Sequence, residues 1–189
     1  MRRVPFGMEI RKACAVLILA AITNCALIGE QRSRGGLAPY VPTPPDVVDR
    51  MLALAGVTKD DIVYDLGSGD GRIVIAAAKK YGARAIGIEI DPVRVKEARE
   101  NARQAGVERL VSFRLEDATT ANISDATVVT LYLLSSGNDQ LKPTLERQLK
   151  PGTRIVSHAF GMSGWPADKI DRFTDALGDE RVLYLWRVR

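Results

Sequence analysis

Cysteine is scarce in the 189-residue chain: Cys14 and Cys25 both lie near the start, and none follows. A disulfide framework, a zinc–thiolate cluster and a cysteine nucleophile are therefore excluded for everything after residue 25. Histidine is scarcer still, His158 alone, which excludes a His-rich metal site. Net charge is missing from most of the chain. Residues 1–34 hold six of the 27 Lys/Arg and two of the 23 Asp/Glu, which leaves 21 of each sign in residues 35–189. A neutral domain has no bulk basic field with which to gather nucleic acid. Internal repeats and low-complexity tracts are absent after residue 38. With 46% hydrophobic residues, enough apolar mass remains for one buried core, so pervasive disorder, a collagen-like fibre and a polytopic membrane protein are excluded.

What is present begins with a leader. Arg2, Arg3, Arg11 and Lys12 precede the apolar run Ala13–Gly29, interrupted by Thr23 and Asn24. A basic start before an apolar stretch reads as a secretory signal or an N-terminal membrane anchor over residues 1–30. The run is slightly shorter than the roughly 20 residues of an unstrained span. Cys25, after Ile22-Thr23-Asn24, admits a lipoprotein reading, and a start upstream of the true domain, leaving it cytoplasmic, is the third option. Residues 31–38 form a polar linker, and residues 39–189 form the domain. More positive charge precedes the run than follows it, which directs the domain outward.

Beyond Tyr40-Val41-Pro42-Thr43-Pro44-Pro45, extended because residues before proline avoid the α region, apolar spacing predicts a helix over Asp46–Ala55 capped by Thr43. Ile62–Leu66 reads as a strand, Arg72–Tyr81 as a helix, Ala85–Ile90 as a strand and Pro92–Ala105 as a helix. Strands at Val111–Leu115 and Thr127–Leu134 follow, then a helix over Asp139–Leu149 and a strand at Arg154–His158. Lys169–Phe173 and Arg181–Val188 read as a closing hairpin. Strands alternating with helices imply an α/β, doubly wound, Rossmann-like sheet, completed by an antiparallel last strand.

In such sheets ligands bind beyond the carboxyl ends of the strands. Asp65-Leu66-Gly67-Ser68-Gly69-Asp70-Gly71 occupies that place. Gly67 and Gly69 permit a sharp turn and close backbone approach. A dinucleotide fingerprint requires a third glycine where Arg72 stands. Two carboxylates, Asp65 and Asp70, repel a pyrophosphate and suit a cation. Glu89, at the end of the second strand, can accept both hydroxyls of a ribose, and Asp117, after the third, can accept from an adenine amino group. Ribose, adenine and a cationic amino-acid portion together describe S-adenosylmethionine.

Val63–Lys79, Gly87-Ile88-Glu89-Ile90-Asp91-Pro92 and Tyr40-Val41-Pro42-Thr43-Pro44 resemble the class I, seven-strand S-adenosylmethionine-dependent methyltransferases. Within them, the motifs are similar to bacterial relatives of the membrane-anchored mitochondrial lysine methyltransferases of the ATP synthase c-subunit and the adenine nucleotide translocase. The resemblance implies methyl transfer to a lysine of a protein substrate, for which a membrane-embedded protein is one option. An apolar segment before the domain is shared with that group, so membrane association through residues 13–29 is expected, while the neutral charge of residues 35–189 predicts no nucleic-acid partner. The resemblance implies that Asp65, Gly67, Ser68 and Gly69 hold the methionine part, Glu89 and Ile90 the ribose side, and Asp117 with Ala118 the adenine. Tyr40, Pro42 and Thr43 are expected to form a lid over the cofactor.

The acceptor side is less defined. Thr130-Leu131-Tyr132-Leu133 lacks the Asn-Pro-Pro-Tyr of amino-group and adenine methylators, so Tyr132 and Thr130 are expected to line the acceptor channel without a named base. Tyr132 serves equally as a core aromatic. His158 reads as a catalytic group or as a satisfied, hydrogen-bonded core histidine, and Trp165 with Pro166 as a wall of the acceptor site or as packing. A small-molecule methyltransferase, a non-catalytic S-adenosylmethionine binder and a nicotinamide oxidoreductase are the alternatives; Arg72 and Asp65 count against the last.

Overall fold

The structure is a computed structural model and describes residues 36–189. The signal or anchor segment and most of the linker lie outside the described residues. Pro45–Ala55 forms α1, Ile62–Leu66 β1, Arg72–Tyr81 α2, Arg84–Glu89 β2, Pro92–Gln104 α3 and Val111–Leu115 β3. Val128–Leu131 forms β4, Ser135–Gln148 α4, Arg154–His158 β5, Lys169–Thr174 β6 and Glu180–Arg187 β7. The seven strands make one sheet in the order β3-β2-β1-β4-β5-β7-β6. The first five run parallel, and β7 inserts antiparallel between β5 and β6.

Alternation along each strand sends neighbouring residues to opposite faces, so one sheet supports two cores. Val63, Val128, Val156 and Leu183 face α1, α2 and α3, while Tyr64, Val129, Leu131 and Ile155 face Leu141 and Leu145 of α4. In α1, Val47, Val48, Met51, Leu52 and Ala55 fall on one buried stripe, and Gly56 in the left-handed region closes the helix. In α3, Pro92 occupies the first turn, and the Asp91 carboxylate caps the helix by accepting from the Val93 amide at 2.8 Å.

Two expectations are corrected. Thr43 does not cap α1: Pro44 holds the cap position with no side-chain bond, and Thr43 is buried, its carbonyl accepting from Arg72. The fourth strand stops at Leu131 rather than Leu134, because its neighbour β1 ends at Leu66, the residue paired with Leu131. The chain is thus released earlier, and α4 starts at Ser135, its first turn closed by the Asn138 amide on the Leu134 carbonyl.

Candidate functional site

The order of the sheet reverses between β1 and β4, and the crevice beyond their carboxyl ends is the expected ligand position. The glycine turn after β1 bends back over β2: the amides of Gly67 and Ser68 both donate to the Ile88 carbonyl, at 2.9 and 3.0 Å. Glu89 is built into the same turn. One of its oxygens accepts the Gly69 amide at 2.8 Å, and the other accepts the Ile90 and Asp91 amides at 2.8 and 2.9 Å. Three backbone donors fix the carboxylate, and its remaining lone pairs are free for ligand hydroxyls. Gly69 has φ 52°, and a Cβ there would lie 2.6 Å from the Tyr40 ring. Only glycine lets that ring close over the turn. Tyr40 is held from its other side by Arg94, whose guanidinium carbon lies 3.9 Å from the ring centre. Of the expected lid residues, Tyr40 and Pro42 are exposed and Thr43 is buried.

Asp65 is the electrostatic centre. It pairs across the sheet with Gly87 and Thr130, is almost wholly buried, and accepts from the Thr130 hydroxyl at 2.7 Å. Burial pushes its carboxyl up to about 7; the Thr130 bond opposes that, while the charges of Glu89 and Asp70 add to it. Among the described residues, no lysine or arginine pairs with Asp65. The second carboxylate of the turn does not share its role. Although burial favours the neutral form, bonds from Arg72 at 2.6 and 2.9 Å hold Asp70 below its ordinary range. Asp70 is thus already neutralised by Arg72, which corrects its expected service to a cationic ligand. A buried acid without a counter-ion beside a second carboxylate fits the cationic amino-acid portion of S-adenosylmethionine, and the anchored Glu89 fits its ribose.

The adenine side is more open. Ile90 and Asp117 are exposed and Ala118 is buried. One oxygen of Asp117 accepts the Thr119 amide and hydroxyl at 2.8 and 2.7 Å, leaving the other for an exocyclic amine. Ser68 differs from expectation. Its hydroxyl is buried, without a partner, and directed at Gly87, where a Cβ would lie 2.5 Å away.

On the acceptor side Thr130 is corrected from channel lining to support: it is fully buried and spends its hydroxyl on Asp65. Tyr132 is half-buried at the rim, and its ring lies 4.0 Å from that of His158, centre to centre. His158 is 1% exposed, and neither ring nitrogen has a protein partner. Burial first, and then Arg181, push its pKa down to about 4, against a smaller opposing pull from Asp175. It is therefore neutral at physiological pH and is not the satisfied core histidine. Immediately after it, Ala159 has φ 65°, and the Phe160 amide donates to the His158 carbonyl at 2.8 Å. This is a γ-turn of the rarer, strained kind, costing roughly 1–3 kcal/mol. Asn138 holds it shut: its amide donates to the Ser157 hydroxyl and to the carbonyls of Phe160 and Gly161, at 3.1, 3.0 and 3.2 Å. Asn138 was not singled out from the sequence. The available signal was a polar residue on the same helical stripe as Leu141 and Leu145. Trp165 packs against Trp186, whose indole donates to the Trp165 carbonyl at 2.9 Å, so it is a partly buried wall of the second core.

Sheet order, glycine turn and paired acids together define an S-adenosylmethionine-dependent methyltransferase. Residues 65–169 match the ANTKMT methyltransferase domain, and the chain belongs to that family. It is 50% identical over 149 residues to a protein-lysine N-methyltransferase of Saccharolobus islandicus, covering 78% of this chain and 92% of that one. It is 33% identical over 132 residues to the human ATP synthase c-subunit lysine N-methyltransferase, covering 70% of this chain but 56% of that one, so it spans little more than half of the human protein. Among solved structures, an RNA methyltransferase from Salinibacter ruber in complex with S-adenosyl-L-homocysteine is 57% identical, with a TM-score of 0.74 and coverage of 78% and 94%.

Proposed function

We propose that this enzyme methylates the side-chain amine of lysine in a protein substrate. The observation that carries the reading is the 50% identity to a protein-lysine N-methyltransferase across 92% of that protein's length. The neutral composition of residues 35–189, with 21 charges of each sign, supports it over nucleic acid. The Salinibacter relative is described as an RNA methyltransferase, so RNA is the second reading.

Bound in the crevice, S-adenosylmethionine supplies an electrophilic methyl group on a sulfonium. Asp65 meets positive charge there, Glu89 accepts from the ribose hydroxyls, and Asp117 accepts from the adenine. Tyr40 covers the turn and keeps water from the reacting centre. A lysine must arrive without its extra proton, since only the neutral amine has a lone pair. Desolvation against Tyr132 and the buried Leu133 lowers the amine's pKa in that direction. The released proton goes to water, and no side chain has to hold it. Alignment of the lone pair is then the main task left to the rim.

Membrane association through residues 13–29 belongs to the same proposal, supported by the basic start and apolar run. Among the described residues no helix is long and apolar enough to cross a membrane. Incubating the full chain with radiolabelled donor and separated protein and RNA fractions of a lysate tests the acceptor. Protease-sensitive label recovered as methyllysine is expected; nuclease-sensitive label recovered as a methylated nucleotide establishes the RNA reading. Cell fractionation with protease accessibility tests the location.

A further inference from the structure

We propose that His158 and Tyr132 form the subsite for the acceptor amine, in which an imidazole nitrogen of His158 accepts a hydrogen bond from the amine's N–H. The inference rests on the amine reading above and names the group that orients the amine.

Position is the first argument. Asp65, Thr130 and Val156 stand side by side in one row across β1, β4 and β5. Tyr132 and His158 follow two residues further along their own chains, on the same face as that row, a rise of about 7 Å toward the rim. Their 4.0 Å ring separation confirms that they emerge together. The pair therefore borders the crevice beyond the acid that receives the cationic part of the donor.

The state of the imidazole is the second argument. Buried polar atoms in folded proteins are nearly always satisfied, and an exception calls for a ligand or another specific explanation. His158 has two such atoms, both unpartnered, in a ring that is 1% exposed. The polar groups beneath it are not loose: the Ser157 hydroxyl donates to the Phe160 carbonyl at 2.7 Å and accepts from Asn138. Tyr132 from the end of β4, Arg181 from β7 and Asp175 from the β6–β7 turn are the titratable groups around the ring. Arg181 is itself paired with Asp175 and Asp179, at 2.7 and 2.8 Å, so no anion remains to draw a proton onto the imidazole. The ring is held as a neutral acceptor.

Chemistry supplies the third. A neutral amine carries N–H bonds and one lone pair, and fixing an N–H on a rigid acceptor fixes where the lone pair points. An imidazole that resists protonation orients the amine without trapping it as an ammonium. Its rigidity comes from the clamped turn at Ala159, which sets the end of β5. Tyr132, half-buried and with its ring centre 4.0 Å from that of His158, forms the wall along which the acceptor's methylene chain arrives beside the imidazole.

The single histidine makes the test direct, because an untagged, isotopically labelled chain gives one imidazole spectrum. With S-adenosylhomocysteine bound at pH 7.5, addition of n-butylamine is expected to shift the accepting imidazole nitrogen. In His158→Phe, which keeps a planar aromatic ring and removes the unsatisfied atoms, donor affinity is expected within about threefold of wild type and the thermal midpoint unchanged or higher, while kcat falls about tenfold or more. A packing role moves stability and turnover down together, whereas an orienting role separates them. No shift with butylamine, or wild-type turnover in His158→Phe while the parent makes methyllysine, overturns the subsite and leaves lysine methylation standing. Label recovered only in RNA overturns both.

Discussion

The rim of the sheet has two halves of unlike construction. On the donor half, β1 and β2 carry carboxylates near their ends, Glu89 tied to backbone amides and Asp65 to the Thr130 hydroxyl, and the chain turns through glycines in the left-handed region. On the acceptor half, β4 and β5 end in aromatic rings, a strained non-glycine turn and unpartnered polar atoms. The donor half is preorganised for one fixed set of hydroxyls and charge, with the Glu89 carboxylate anchored before any ligand arrives. The acceptor half carries its unmet demands into the free protein, as a surface does when a partner must complete it. Recognition of a constant cofactor and of a variable acceptor are thereby kept in separate strands.

The largest expected break in this division is Glu89→Ala. It removes the acceptor for ribose hydroxyls and also the group that ties the Gly69, Ile90 and Asp91 amides together. Charge-assisted bonds of this kind predict a loss of donor affinity of about 100-fold, roughly 3 kcal/mol. Tyr132→Ala, on the other half, is expected to leave donor affinity within about threefold and to act on turnover instead. Isothermal titration with S-adenosylhomocysteine, run on both variants, makes the comparison. Equal losses in the two would erase the distinction between halves.

Next in size is a pH effect that belongs to the donor half alone. Burial, opposed by Thr130, raises Asp65 to about 7. Below that value the carboxyl is largely neutral, and above it ionised. A cationic ligand binds the ionised form, so donor affinity is expected to rise with pH up to about 7 and then level. The slope below is close to tenfold per unit, or about 100-fold between pH 5 and 7. Binding near neutrality should also release a proton, visible as a buffer-dependent enthalpy. Asp65→Asn is expected to bind more weakly at pH 7.5 and to lose the slope. A slope that survives in that variant would assign the titration to another group.

These two predictions concern residues that could be read before any coordinates, and the reason is local. Asp65, Gly67, Gly69 and Glu89 sit at the junctions where strands end, and such junctions are marked by a change from apolar run to glycine and acid. The alternation of strands and helices was legible for the same reason. Asp70 was misassigned because its partner, Arg72, lies two residues away on the next helix, and nothing in the spacing says which way either side chain turns. Thr130 was misassigned because strand alternation tells which residues share a face but not how far along that face the crevice reaches. The neutral, unpartnered state of His158 depends on Tyr132 and on Arg181 with Asp175 of the β6–β7 hairpin, two stretches of chain distant from each other. No local pattern carries it.

Asn138 offers a break on the acceptor half of intermediate size. One side-chain amide serves three acceptors around the strained turn. Asn138→Ala removes the clamp and leaves the Gly161 carbonyl without that donor, which predicts a loss of about 2 kcal/mol in stability by urea denaturation. Donor affinity is expected to change little, since the clamp supports β5 rather than the glycine turn. A matching fall in donor affinity would mean the two halves move as one.

The smallest expected effect tests whether the Tyr40 cover is held or merely resting. Its ring fills the space that glycine leaves at position 69 and is backed by Arg94 at 3.9 Å. Arg94 also bonds Glu97 at 2.5 Å along its own helix, so its removal affects a surface pair of little energetic weight as well. A half-exposed cation–π contact contributes about 0.5–1 kcal/mol. Arg94→Ala is therefore expected to weaken donor binding by about threefold, and to do so through faster release, because the cover acts after the ligand has entered. Stopped-flow measurement of donor dissociation separates the cases: an unchanged release rate with slower association would make Arg94 part of the approach to the crevice, and Tyr40 would then need no backing to stay closed.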